Sequence, residues 1–274
     1  MLRKLMKYEL KATARVMLPF FLAVVGLAAA LRLLTLWSDH FTAPDFLAVN
    51  PVNLILSLVT VAFGAAMVAV PIAALVLMIV RFKTNLLSDE GYVMFTLPVS
   101  AHQLVWSKLL TSAIWFIGAA AVDVLAVLLL SAHIDFFSNL WRGFQSLFSE
   151  LTAYYAANGV LVLVEVAVLI LLACFSECLE FYCPMAIGHS FARHKVLLSV
   201  VFYFVIQWVT QAAAVVLVTA GVPVWNSVSD SILSLRATAL VHGSLLAAIL
   251  AVLVYGSILY VITIRNLHRR LNLE

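Results

Sequence analysis

Long apolar runs interrupted by short polar ones dominate the chain. Crossing a hydrocarbon core of about 30 Å takes about 20 apolar residues at 1.5 Å rise each. Six stretches meet that length: 17–37, 53–80, 106–131, 158–182, 196–221 and 239–264. The second is long and contains Pro71, which predicts a kink where the backbone hydrogen bond is lost. The pattern predicts an all-α membrane protein of six transmembrane helices in a single domain spanning 1–274.

Two further segments have helical periodicity but are too polar to span. In 1–15, Leu2, Leu5, Met6 and Leu10 share one face, and Lys4, Lys7, Lys11 and Arg15 share another. This predicts an amphipathic helix lying on the membrane surface, or a plain basic flank to the first span. In 134–151, Phe136, Phe137, Leu140, Trp141, Phe144, Leu147, Phe148 and Leu151 recur at helical spacing opposite Ser138, Asn139, Arg142, Gln145, Ser149 and Glu150. An outer interfacial helix is expected there.

Composition agrees: 65% of the 274 residues are hydrophobic and 11% charged, against about 25% charged in ordinary soluble domains. The net charge of +3 is too small to point to nucleic acid. Its distribution is more informative. Thirteen of the sixteen Lys and Arg fall on one side of the alternating spans: Arg3, Lys4, Lys7, Lys11, Arg15, Arg81, Lys83, Lys108, Arg193, Lys195, Arg265, Arg269 and Arg270. Arg32, Arg142 and Arg236 fall on the other. The positive-inside rule then places both termini and the 81–108 and 184–196 loops in the cytoplasm. The polar lead to Arg15 is long and includes Glu9, so the first span reads as an uncleaved anchor. Trp37 and Trp225 at outer boundaries and Trp106 at an inner one fit interfacial anchors.

The loop after the second span reads Arg81-Phe-Lys-Thr-Asn-Leu-Leu-Ser-Asp-Glu-Gly-Tyr-Val-Met-Phe-Thr-Leu-Pro-Val-Ser100, with Lys108 soon after. It resembles the first cytoplasmic loop of type-2 ABC exporter permeases. There an acidic residue and a glycine precede an apolar stretch, a Thr/Leu-Pro-Val-Ser turn and a lysine at the next span. The corresponding positions are Glu90, Gly91, Thr96 to Ser100 and Lys108. Gly188-His189-Ser190-Phe191-Ala192-Arg193-His194-Lys195 is similar to a segment of a Gram-positive bacterial subset of that family. The resemblance implies a permease of the bacterial cytoplasmic membrane, working with a second permease subunit, identical or related. It also implies two copies of a separate ATPase that bind ATP and Mg; no cofactor is expected in this chain. The implied cargo is amphipathic or hydrophobic: a peptide, drug or lipid.

Residue chemistry supports a coupling role for 81–105. Leu86, Leu87, Tyr92 or Val93, and Phe95 form an apolar series beside Asp89 and Glu90, whose charges suit a helix N-terminus. Such a helix suits a partner's groove, and Pro98 should end it. The coupling residues expected are Leu86, Leu87, Asp89, Glu90, Gly91, Tyr92, Phe95, Pro98, Phe191 and Arg193. An ordinary interfacial loop is the alternative. The chain has no Gly-x-x-x-x-Gly-Lys-Ser/Thr loop, so an ATPase would be a separate chain.

Asp123 and Glu165 lie at membrane depth, where carboxylates are costly. They are expected either to line a substrate pathway or, if protonated, to bond neighbouring helices. Glu177 and Glu180 are expected to pair with Arg193 or Lys195. Cys174 and Cys178 with His189 and His194 lack a paired metal-ligand spacing, so no metal is expected. Two rival functions stay open. Asp123 and Glu165 would suit a proton-coupled carrier or channel. An intramembrane hydrolase would need Ser190 near His242, which the orientation sets on opposite sides of the membrane.

Overall fold

A computed structural model describes residues 1–38, 51–96, 98–131, 134–155, 158–191, 193–232 and 237–269. Among these the helices are α1 (Leu2–Ser38), α2 (Pro51–Leu87), α3 (Asp89–Thr96), α4 (Ala101–Leu130), α5 (Ile134–Tyr155), α6 (Gly159–Gly188), α7 (Lys195–Ile232) and α8 (Ala237–Arg269). The described residues contain no strand. Six helices are long and apolar enough to cross a bilayer: α1, α2, α4, α6, α7 and α8. Their apolar side chains turn outward to a degree no aqueous surface tolerates, with Trp208 78%, Leu22 72% and Val61 71% exposed. The protein is an all-α, multi-pass membrane protein.

Helix bounds depart from the sequence expectations where polar residues prolong a helix past the apolar run. Instead of a separate surface helix over 1–15, α1 runs unbroken for 37 residues, about 55 Å. The reason is a stripe of buried residues, Glu9, Thr13, Met17, Val24, Ala28 and Leu31, that keeps its phase through the expected boundary. Lys4, Lys7, Lys11 and Arg15 are exposed, as their face predicts. The helix α2 continues to Leu87 rather than stopping near 80, and Pro71 lies within it. Likewise α6 takes in Pro184 and ends at Gly188, so the expected 184–196 loop shrinks to the segment before Lys195. The helix expected over 134–151 extends to Tyr155, with Phe137, Leu140, Trp141, Phe144 and Leu147 exposed. The side chains of Phe136, Leu151, Trp225, Arg236, Arg269 and Arg270 lie outside the described residues.

The chain divides into two compact units: Met1–Met78 with Leu110–Leu140, and Ile79–Leu109 with Trp141–Glu274. In the first, α1 and α4 are joined by the Trp115 indole. Its Nε1–H donates to Thr13 Oγ1 at 2.7 Å, and its ring lies 5.8 Å from that of Phe21. In the second, α6 packs against both α7 and α8. Asn158 caps α6, its Oδ1 accepting from the Val160 N–H at 3.1 Å.

Candidate functional site: the joint around α3

The second unit holds both loops singled out in the sequence. Phe82 and Leu86 form the buried row of α2's last turns, and Leu87 is buried beside them. Phe82, fully buried, stacks on Tyr182 of α6 with ring centroids 3.9 Å apart and planes 7° from parallel. Leu86 and Leu87, expected on the coupling helix, therefore belong to α2 and are consumed by the bundle. Leu86 follows Phe82 by four residues, one helical turn, and apolar side chains that continue a buried row stay with it.

Ser88 makes the bend. Its hydroxyl donates to Thr84 O at 2.6 Å, and its carbonyl accepts from Gly91 N at 2.7 Å. The short helix α3 then begins with exposed Asp89 and Glu90, well placed at the positive helix end. Gly91 is buried, Tyr92 is 51% and Val93 66% exposed, and Phe95 is half-buried. The helix stops at Thr96, two residues before Pro98, as the proline predicts. Of the apolar series expected to fill a partner's groove, only the α3 part points outward. Ser100 then starts α4, its Oγ accepting from Gln103 N at 3.3 Å. Lys108, expected to open that span, lies two turns inside α4 and is buried.

The start of α4 is fastened to α8 and α6. His102 Nδ1 and Tyr260 Oη share a 2.7 Å hydrogen bond, and Trp106 meets Phe175 edge-on at 5.7 Å. At the α6–α7 turn, Phe191 is 44% exposed and stacks on Phe202, while Arg193 is exposed. His194 takes a left-handed φ of 57°, and its carbonyl accepts from Leu198 N to start α7. Gly188 is required by close approach: a Cβ there would meet the Ser199 backbone nitrogen and the Lys195 carbonyl oxygen. His189 donates from Nδ1 to Met185 O at 2.9 Å. Burial, assisted by Lys83 and Lys195, outweighs that bond and pushes its pKa below the ordinary 6.5.

No family model, curated protein or solved structure matches this chain. Its functional reading rests on the residues themselves.

The intramembrane acids separate by environment. Asp123 lies on α4 in the first unit, with Oδ1 buried and without a hydrogen-bond partner. Glu165, 7% exposed, lies in the second unit and accepts from His242 Nδ1 at 2.9 Å. Glu180, expected to pair with Arg193 or Lys195, has bonds to α7 and α8 within the bundle. It accepts from Gln207 Nε2 at 2.6 Å and from the Tyr255 hydroxyl at 2.9 Å. Thr210 Oγ1 lies 3.3 Å from Tyr255 Oη, so one carboxylate ties α6 to α7 and α8. Neither tie was foreseen; the one-turn-apart Glu177 and Glu180 were the available signal. Ser190 Oγ donates to Ala186 O and to Asn266 Oδ1, so no Ser190–His242 pair forms. Among the described residues no cluster of three or more His, Cys, Asp or Glu is set to hold a metal, and Cys174, Cys178 and Cys183 form no disulfide.

Proposed function

We propose that this chain is the membrane-spanning subunit of an ATP-driven exporter, with α3 as the element that receives force from a separate ATPase. The observation that carries the reading is the build of the joint. An eight-residue helix hangs between a packed α2 end and a fastened α4 start, with Tyr92 and Val93 outward. Movement of α3 would be passed to both flanking spans, because each is locked into the bundle at its attachment. The two ATPases, loaded with ATP and Mg, would grip α3 and the Phe191–Arg193 turn from the cytoplasm. A second permease copy or relative completes the pathway, as two ATPase sites require two membrane halves. Amphipathic or hydrophobic cargo is expelled from the cytoplasm or inner leaflet. In this scheme Asp123, half-buried with one buried, unpartnered oxygen, is the candidate pathway acid. Glu165 serves the bundle through His242.

The test is purification of the intact complex followed by transport in sealed vesicles. The reading expects a co-purifying ATPase and uptake into inverted vesicles that needs ATP and survives collapse of the proton gradient. A second reading, a proton-coupled carrier, is favoured by the Glu165–His242 pair alone. Transport abolished by a protonophore and indifferent to ATP would select it.

A further inference from the structure

The second unit contains a groove of 480 Å³ formed by α2, α6 and α7, a size usual for small-molecule sites at about 300–1,000 Å³. Its two ends differ. Phe181, Phe204 and Ile79 line the end deeper in the bundle, and Val200 and Met185 the middle. Lys83 and His189 line the end nearest the α6–α7 turn. Lys195 begins α7 at that same end, close enough to act on the His189 ring. From Phe181 to His189 the groove follows eight residues of α6 and its cap, about 12 Å. Among the described residues that line it, none is acidic. A groove that is apolar along the spans and basic where they end has the polarity of a membrane phospholipid.

We infer that this groove binds one anionic phospholipid, an acyl chain between Phe181 and Val200 and the phosphate at Lys83. His189 Nδ1 is already bonded to Met185 O, so Lys83 supplies the attraction. Basic pockets at the ends of membrane helices recognise anionic headgroups in this way. A second groove in the same unit provides the contrast. It measures 420 Å³ and is lined by Trp106, Phe175, Leu253 and Tyr260, with no cation. It too is mostly apolar, and among its described lining residues it offers hydroxyls but no cation to a phosphate. The inference does not depend on the exporter reading.

The test counts lipids retained by the purified full chain in native mass spectrometry, after exchange into phosphatidylglycerol or phosphatidylcholine. One phosphatidylglycerol should be retained preferentially. Lys83→Gln should weaken that retention about fivefold, the equivalent of about 1 kcal/mol per lysine near a headgroup. Lys83 is exposed, so this change leaves the packing intact. Val200→Trp, which fills the groove, should remove retention, whereas Leu253→Trp in the second groove should not. Equal retention of phosphatidylcholine overturns the inference, as does unchanged phosphatidylglycerol binding in both Lys83→Gln and Val200→Trp. Displacement of the lipid by millimolar glycerol phosphate would likewise overturn it, showing a site for a soluble anion.

Discussion

Replacing Phe82 by alanine tests whether the end of α2 is held by packing. In a water-soluble core a buried Phe→Ala change costs about 3–5 kcal/mol, part transfer and part cavity. Within a bilayer the transfer part shrinks, because lipid is as apolar as the site the ring leaves. The cavity and the ring pairing remain. A stack at 3.9 Å and 7° is worth about 0.5–1.5 kcal/mol beyond area, and the void left beneath Tyr182 adds a similar amount, so about 2 kcal/mol is expected. Denaturant unfolding in mixed micelles would read it as a lower midpoint at unchanged slope. Tyr92→Ala, on the exposed face of α3, is the control and should stay within about 0.5 kcal/mol of the parent. If Phe82→Ala unfolds at the parental midpoint, α2 is not fixed by that stack and the joint described above does not exist.

Four further outcomes are expected. Thr13→Val leaves the Trp115 indole N–H without its acceptor and should cost about 1 kcal/mol in the same assay; Trp115→Phe in the Thr13→Val background should then add less than it does alone. Gly188→Ala forces the start of α7 away from α6 and should destabilise by about 1–3 kcal/mol, with new protease cleavage near His194 as the readout. A double-mutant cycle of Glu165→Gln and His242→Ala should show coupling of about 0.5–3 kcal/mol, and additive effects would refute the contact. His189 is held below 6.5 chiefly by burial. Its native state therefore favours the neutral ring, and the associated stability is present above 6.5 and lost as pH falls through 6.5 toward the lowered native value. His189→Gln should remove that part of the acid sensitivity of unfolding.

The spans were legible because bilayer thickness and the 1.5 Å rise fix how long an apolar run must be. Helix ends were not legible from the same signal. Nothing in hydropathy says that Lys83 and Asn85 continue α2 to Leu87, or that the buried stripe of α1 starts at Glu9. Those follow from which face packs, a property of neighbours rather than of the segment. The proline rule located the end of α3, since Pro98 acts locally. It was silent on its beginning, which depends on Ser88 hydroxyl and carbonyl bonds to Thr84 and Gly91. Among the polar residues, Glu165 and Glu180 stood out as costly at membrane depth, but their partners His242, Gln207 and Tyr255 are 77, 27 and 75 residues away. A single sequence has no way to pair them.

The most direct measurement of the central claim is site-specific crosslinking in intact cells, with a photoreactive residue at Tyr92 or at Leu86. From exposed Tyr92 the account predicts a crosslink to a chain that mass spectrometry identifies by its Gly-x-x-x-x-Gly-Lys-Ser/Thr loop, and from buried Leu86 only links within this protein. Crosslinks from Tyr92 to lipid alone, or none to any nucleotide-binding chain, would contradict it.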